Sequence, residues 1–547
     1  MQWRGIVKRN LPLVELARQN RMSKRTPGSS LPGWARYLVP SAADLIFILI
    51  VGTMCCTVIA TRLLGDAGIG WHIRSGELIL STRSVPRTDP FSASMAGQRW
   101  YAWEWMYDAV IAVVHQRLGL NGVVFFSSTI IALTFALLFR LLLRCRTSLP
   151  LALFFLILSL SVSSIHFLAR PHLVSWLFTL LWFQILDSSE AEAYSTGQRK
   201  LFWLPVIMLF WANLHGGFLL GFALLGAYLL SALIDFFRGD PASRQHEKSS
   251  LVKLGTVTVL SLVASLVNPY GFNLYVHLYR YLSDRWLMKH INEFLPPNFH
   301  GAPQLCFAAM LLLTILTLAL ARARVHLSHL FVIMLAVASG LYASRNLPVA
   351  SILLTLIIAP LLSQVFSGAA SNPQTPPRLS SFLKRVQSWS SRMTELELSL
   401  RDRLWPVAIL VLGILVCAHG GRLGAWQVMN AHFDAKRFPV EAVDVIAERN
   451  IHEPIFTLDS WGGYLIYRLY PRTQVLVDDR HDLYGSEFFK QYLTTIRVEP
   501  GWQVLLNEKH VNWILVPKDS GLARVLRTLP AWQVVHEDGT AVLFRRV

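Results

Sequence analysis

Charge is scarce in this sequence. Only 15% of its 547 residues are Asp, Glu, Lys or Arg, while 53% are hydrophobic and mean hydropathy is positive. A soluble domain carries about 25% charged residues, so that class is excluded and a polytopic membrane protein is implied. Cysteine is sparse as well, and the five, at positions 55, 56, 145, 306 and 417, all lie in or beside apolar runs. Neither a disulfide framework nor a metal-ligand spacing can be drawn through them. A glycine-rich phosphate loop is missing, which excludes a nucleotide-binding domain by motif. Acidic residues fall short of basic ones, 33 against 51, for a net charge of +18. The Lys and Arg residues sit in short clusters between apolar runs, where they set topology and meet anionic membrane lipid; nucleic acid is not a partner.

What is present is a series of apolar runs. Residues 1–41 form a basic arm, expected in the cytoplasm, and the first apolar run starts near Ala42. Further runs at 122–143, 151–169, 173–187, 201–214, 218–236, 254–267, 302–321, 328–344, 347–366 and 405–418 bring the expected transmembrane count to about eleven, within a domain spanning 42–418. Residues 105–118, amphipathic and interrupted by Asp108 and His115, predict a helix lying in the interface. Basic clusters such as Arg140, Arg144 and Arg146, Arg238, Arg244 and Lys248, and Lys384, Arg385 and Arg392 all fall on one side of this arrangement. That is the positive-inside pattern; residues 367–404 are then a cytoplasmic linker on the membrane surface, and the protein belongs in the cell (inner) membrane with its N-terminus inside.

The opposite side carries different chemistry. The first outer loop, 65–104, interleaves Asp66, His72, Glu77, Asp89 and Glu104 with Trp71, Trp100, Tyr101 and Trp103, as an interfacial platform would. Later outer loops add Arg170 and His172, Asn213 and His215, Asn268, Glu293, and Arg345. Polar groups at helix ends are costly near hydrocarbon unless they face a protein-lined cavity, so together they predict an outward-facing pocket. From residue 419 onward, strand-like runs alternate with helical patterns, which predicts an extracytoplasmic soluble α/β domain over 419–547 with a partly parallel sheet. Two polar stretches in it, DSWGGY at 459–464 and DDRHD at 478–482, follow predicted strands, where ligands of open α/β sheets gather. Capping by Asp459 and Asp478 and pairing of Arg480 with a carboxylate is the plainer reading of the same residues.

The stretches GWHIRSGE (70–77), VPRTDPFS (85–92) and WYAWEW (100–105), with WANLHGG (211–217), NPYG (268–271) and SRNLP (344–348), resemble a bacterial group described as GT-C-like. The GT-C superfamily comprises polytopic membrane glycosyltransferases that use polyprenyl-phosphate sugar donors. The resemblance covers most of residues 42–547 and implies a membrane all-α GT-C-like fold plus the C-terminal α/β domain. It also implies transfer of a sugar from a polyprenyl-phosphate donor to an acceptor hydroxyl, with Asp66, the acid shortly after the first membrane helix, as the catalytic base. Asp66 is followed by Ala-Gly, so the Asp-x-Asp of metal-dependent oligosaccharyltransferases is missing and a divalent metal is optional. Arg170 and Arg345, at outer helix ends, are the cations expected on the donor phosphate. His72, Glu104, His172, Asn213, His215, Glu293, Asp459, Trp461 and Tyr464 are the candidates for acceptor binding or support. The competing class is a non-catalytic polytopic protein: a transporter, a lipid flippase or an envelope-assembly partner. Polar groups at outer helix ends, instead of interrupted helix pairs at the midplane, disfavour transport.

Overall fold

The computed structural model describes residues 35–191, 196–239, 241–321, 324–400 and 404–547; most of the basic arm, residues 1–34, lies outside them. The first two long helices are α1 (Ala42–Cys56) and α2 (Gly68–Thr82). The bundle continues with α3 (Trp105–Arg144), α4 (Leu149–Ser163), α5 (His172–Ala191), α6 (Trp203–Leu214), α7 (Leu219–Arg238) and α8 (Pro241–Leu266). A short amphipathic α9 (Asn273–Ser283) precedes α10 (Ala302–Leu320), α11 (Leu327–Tyr342), α12 (Leu347–Ser371), α13 (Pro377–Ser399) and α14 (Leu404–Ala418).

Among the described residues, seven helices are long and apolar enough to cross a membrane, against the eleven runs expected. The other four runs fall on α5, α6, α11 and α14, of which α6, α11 and α14 have 16 residues or fewer. The 65–104 loop contains the whole of α2. The expected interfacial helix at 105–118 is the first part of α3, set off from the membrane-length remainder where Gly119 leaves helical geometry at φ 61°. Its Asp108 is 1% exposed, directed into protein and not toward an interface.

Local chemistry fixes these elements. A capping box opens α1: Asp44 N–H donates to Ser41 Oγ at 3.1 Å and Ser41 N–H to Asp44 Oδ2 at 3.0 Å. The next two amides of α1, Ala42 and Ala43, donate to the Glu397 carboxylate at 2.8 and 3.1 Å, and Leu149 N–H at the start of α4 donates to Ser390 Oγ at 2.7 Å. Helix α13 therefore caps two helix N-termini through residues seven apart on one face, satisfying amides that an apolar medium would leave unpaired. Apolar on every side, α12 is buried at every residue from Ala350 to Ser363 and forms the bundle centre.

The C-terminal portion holds α15 (Val440–Glu448), β1 (Ile455–Thr457), α16 (Asp459–Leu469), α17 (His481–Arg497), β2 (Trp513–Pro517), β3 (Trp532–Glu537) and β4 (Ala541–Arg546). The sheet order is β1-β2-β4-β3, parallel at β1/β2 and antiparallel elsewhere. The strand-like run QVLVDD at 474–479, one of those that alternate with helical patterns in the tail sequence, is reduced to single-residue bridges, in which Val475 pairs with Ile455 and also with Ser92 of the 65–104 loop. Ala93 N–H donates to Val475 O at 2.9 Å, so the loop extends the edge of the tail's sheet.

Helix α2 crosses α16 at a glycine pair. A Cβ on Gly463 would overlap the carbonyl of Ala67, and one on Gly70 the carbonyl of Gly463. Gly463→Ala should therefore destabilise the folded protein by about 1–3 kcal/mol through overpacking. Gly226→Ala, in α7 with open space around its Cβ, should not; thermal unfolding of the two purified variants checks the contrast.

Candidate active site

Between α2, the start of α3, the neighbouring ends of α5, α7, α11 and α12, and the tail lies a cavity of about 510 Å³. Of the residues singled out in the sequence, His72, Glu104, Arg170, His172, His215, Glu293 and Arg345 line it. Asp66, Asn213, Asp459, Trp461 and Tyr464 do not.

Glu104 is the residue just before α3 and sits between two imidazoles. His72 Nε2 is 3.8 Å from one of its oxygens and His215 Nε2 is 3.7 Å from the other. The partners behind each ring define what it presents. His72 Nδ1 lies 2.6 Å from Asp108 Oδ1, whose other oxygen accepts from Ser75 Oγ at 2.7 Å. When Nδ1 donates to Asp108, His72 presents a bare Nε2 to Glu104. His215 Nδ1 accepts from the Gly217 amide at 3.0 Å and from Ser175 Oγ at 2.7 Å, and Ser175 accepts from Trp211 Nε1. Its proton is thus on Nε2, also facing Glu104. Burial, then Asp108, pushes the Glu104 carboxyl up to about 8 against the pull of Arg170 and Arg345. Burial, reinforced by Arg170, holds His72 well below the usual imidazole range, so that ring stays neutral.

The two guanidiniums stand on the cavity wall with acids behind them. Arg170 pairs with Asp479 and lies 3.2 Å from Asp66 Oδ1, and Asp66 also accepts from the Gly68 amide at 2.8 Å. Burial raises Asp479 above the usual carboxylate range while Arg170 pulls the other way. Arg345 Nη1 lies 3.2 Å from Glu293 Oε1, with its guanidinium 4.4 Å over the Phe294 ring. Burial opposes ionisation of Glu293, but Arg345 and Arg170 outweigh it and hold the carboxyl at about 2.

Several motif residues brace the site. Asn213 accepts from Trp105 Nε1 at 2.8 Å and donates to the carbonyls of Leu209 and Val267. The Tyr270 hydroxyl of NPYG accepts from Ala102 N–H at 2.8 Å and so holds the outer loop just before Glu104. The DSWGGY stretch is a helix start packed inside the protein. Asp459 pairs with His481 at 3.0 Å, Trp461 Nε1 donates to Arg437 O, and the Tyr464 hydroxyl accepts from Arg468 Nη1. In DDRHD, Arg480 is bidentate on Asp478 at 2.8 and 2.6 Å and reaches Asp89 at 2.7 Å, with Trp100 4.7 Å below it. The carboxylate pairing of Arg480 is thus observed, and it ties tail to loop. Asp108, Asp479 and Asp482 line the cavity without having been singled out for it. Asp479 and Asp482 fall in the flagged strand-end stretch, whereas nothing in the sequence links Asp108 to His72.

Against solved structures, the fold matches the archaeal oligosaccharyltransferase AglB from Archaeoglobus fulgidus, in complex with an inhibitory peptide and a dolichol-phosphate. The TM-score is 0.58 at 10% identity, covering 91% of this chain and 73% of that one. The chain has a GT-C-like fold. ArnT from Cupriavidus metallidurans bound to undecaprenyl phosphate aligns at TM-score 0.47 and 16% identity over 92% of this chain and 96% of that one. No family model and no curated protein matches the sequence. With its apolar helices and GT-C-like architecture, the chain is a multi-pass membrane protein.

Proposed function

We propose that the protein transfers a sugar, with inversion, from a polyprenyl-phosphate donor to an acceptor hydroxyl on a lipid, glycan or protein at the outer face of the membrane. The observation that carries this reading is one cavity wall holding two guanidiniums, Arg170 and Arg345, with a high-pKa carboxyl, Glu104. The AglB complex contains a dolichol-phosphate, the same class of lipid.

In this mechanism the acceptor oxygen forms a bond to the anomeric carbon as the bond from that carbon to the phosphate oxygen breaks. The electron pair leaves with the polyprenyl phosphate, and the acceptor proton goes to a carboxylate. Charge grows on the departing phosphate, and Arg170 and Arg345 are the cations we assign to meet it. Asp66, which the resemblance puts first as base, is held on Arg170 and on the Gly68 amide and stands off the cavity wall. We therefore assign proton removal to Glu104 and give Asp66 the work of fixing Arg170. Gaps of 3.7 and 3.8 Å between Glu104 and the two imidazoles leave space for a hydroxyl to be held among them.

The test is turnover in proteoliposomes with a panel of polyprenyl-phosphate sugars, following release of polyprenyl phosphate and the anomeric configuration of the product. No consumption of any donor that binds, or retained configuration, sinks the reading; lipid movement without turnover would instead support a flippase. Arg345→Gln, which disturbs one partly exposed ion pair, should lower kcat by about 10²–10³-fold, the cost of losing one donor to a developing anion.

A further inference from the structure

About 20 Å along α5 from its cavity end, at 1.5 Å per residue, stand Asp187 and Glu190. Three residues apart, they share one face of the helix. Facing them, the first turn of α11 presents Ser328 and His329. His329 Nε2 lies 2.7 Å from Asp187 Oδ1, and Ser328 Oγ donates to Glu190 Oε2 at 2.8 Å. One ligand atom from each of Asp187, Glu190 and His329 lies within 4.8 Å of the others. The glycosyl-transfer reading uses none of these residues, and the cavity-lining Tyr342 is at the far end of α11.

A separate observation points at the same place. Tyr228 on α7 is 2% exposed, and its hydroxyl has no hydrogen-bond partner among the described residues. The charged groups acting on it are Asp187 and Glu190. Phe183 packs on Tyr228 at 6.4 Å and stacks on His329 at 6.0 Å, which puts the phenol beside the cluster. His326 Nε2 is a second buried atom without a partner among the described residues, its ring 6.0 Å from that of His329. Buried polar atoms left unpaired cost free energy that an ion, or water held by one, relieves.

We propose that Asp187, Glu190 and His329 form a divalent-cation site at the end of the bundle opposite the cavity, with Tyr228 and His326 positioned around it. One imidazole and two carboxylates favour a cation of the Zn²⁺ or Mn²⁺ kind over Mg²⁺ or Ca²⁺, which take oxygen ligands. The ion joins α5 to α11, two helices whose other ends carry His172 and Tyr342 on the cavity wall.

The full-length protein, purified in detergent and stripped with chelator, is incubated with ZnCl₂ or MnCl₂, desalted, and assayed for metal per chain and for Tm. The wild type should retain one equivalent of one of these metals and gain Tm. Asp187→Asn, His329→Gln and Glu190→Gln should each bind at least about 10-fold more weakly. Glu190→Gln keeps the Asp187–His329 pair, and should therefore match the wild-type Tm in the absence of metal. Glu104→Gln should keep its equivalent. Retention of neither metal by the wild type would make Asp187–His329 a plain ion pair. Equal retention by wild type and Glu190→Gln, or loss of the metal from Glu104→Gln, would put the ion elsewhere. Any of these results overturns the proposal.

Discussion

Glu104→Gln should abolish most of the transfer activity while leaving donor binding intact. A positioned general base contributes about 10²–10⁴-fold, so kcat should fall by that factor with little change in KM for the lipid donor. In the wild type, the rate should rise with pH to a plateau above about 8, because only the ionised carboxyl accepts a proton. Loss of that limb in Glu104→Gln, measured as kcat against pH, would identify the group. Stability gives an independent check. Glu104 titrates at about 8 in the folded protein and near the free value, about 4.3, in the unfolded chain. Between those values the native state holds the extra proton, so its stability falls as pH rises from about 4.3 to about 8. The Gln variant should lose less stability than the wild type between pH 5 and pH 9. A variant with full activity and an unshifted profile would remove Glu104 from the reaction and return attention to Asp66.

The second large effect is structural. Arg480 is 2% exposed and compensates two carboxylates, Asp478 at 0% and Asp89 at 4%. Arg480→Met leaves both buried without their cation, which should cost about 3–5 kcal/mol, the usual penalty for breaking rather than replacing a buried pair. Because one acid belongs to the tail and the other to the first outer loop, damage should appear at the joint between them. Limited proteolysis should cut the variant near 430–440 and 80–99 at temperatures at which the wild type is intact. Replacing all three charged groups with apolar residues of similar volume should recover much of the loss.

Much of this architecture is written in run length. Apolar stretches long enough to span a bilayer, basic clusters on one side and an acidic, aromatic first loop on the other locate the bundle and its polar end. Run length also picks out apolar helices shorter than a full membrane crossing, as at Trp203–Leu214 and Leu404–Ala418. It misleads where one helix carries both an amphipathic and an apolar part, as α3 does on either side of Gly119. Strand patterns fare well where β-branched residues pair over several positions. They fail at 474–479, whose partners are single residues from two distant segments.

The site was harder to read because its pairings are remote in sequence. Arg170 and Asp479 are 309 positions apart, and His72 and Asp108 are 36 apart, with no periodicity to connect either pair. Arg170, Arg345 and Glu104 could be singled out by their place at outer helix ends. The glycines of DSWGGY suggest a ligand loop, yet their physical demand is the close approach of α2 and α16. Asp108 gives the opposite lesson: a carboxylate that reads as an interruption in an amphipathic helix is the partner that orients a cavity histidine.

The strand edge shared between Val475 and residues 91–93 locks two segments nearly 400 positions apart, and residues just beyond that joint, Trp100 and Glu104 on one side and Asp479 and Asp482 on the other, line the same cavity. In an exchange of tails between two such proteins, the loop after the first membrane helix would have to travel alongside the domain it braces, as a matched set.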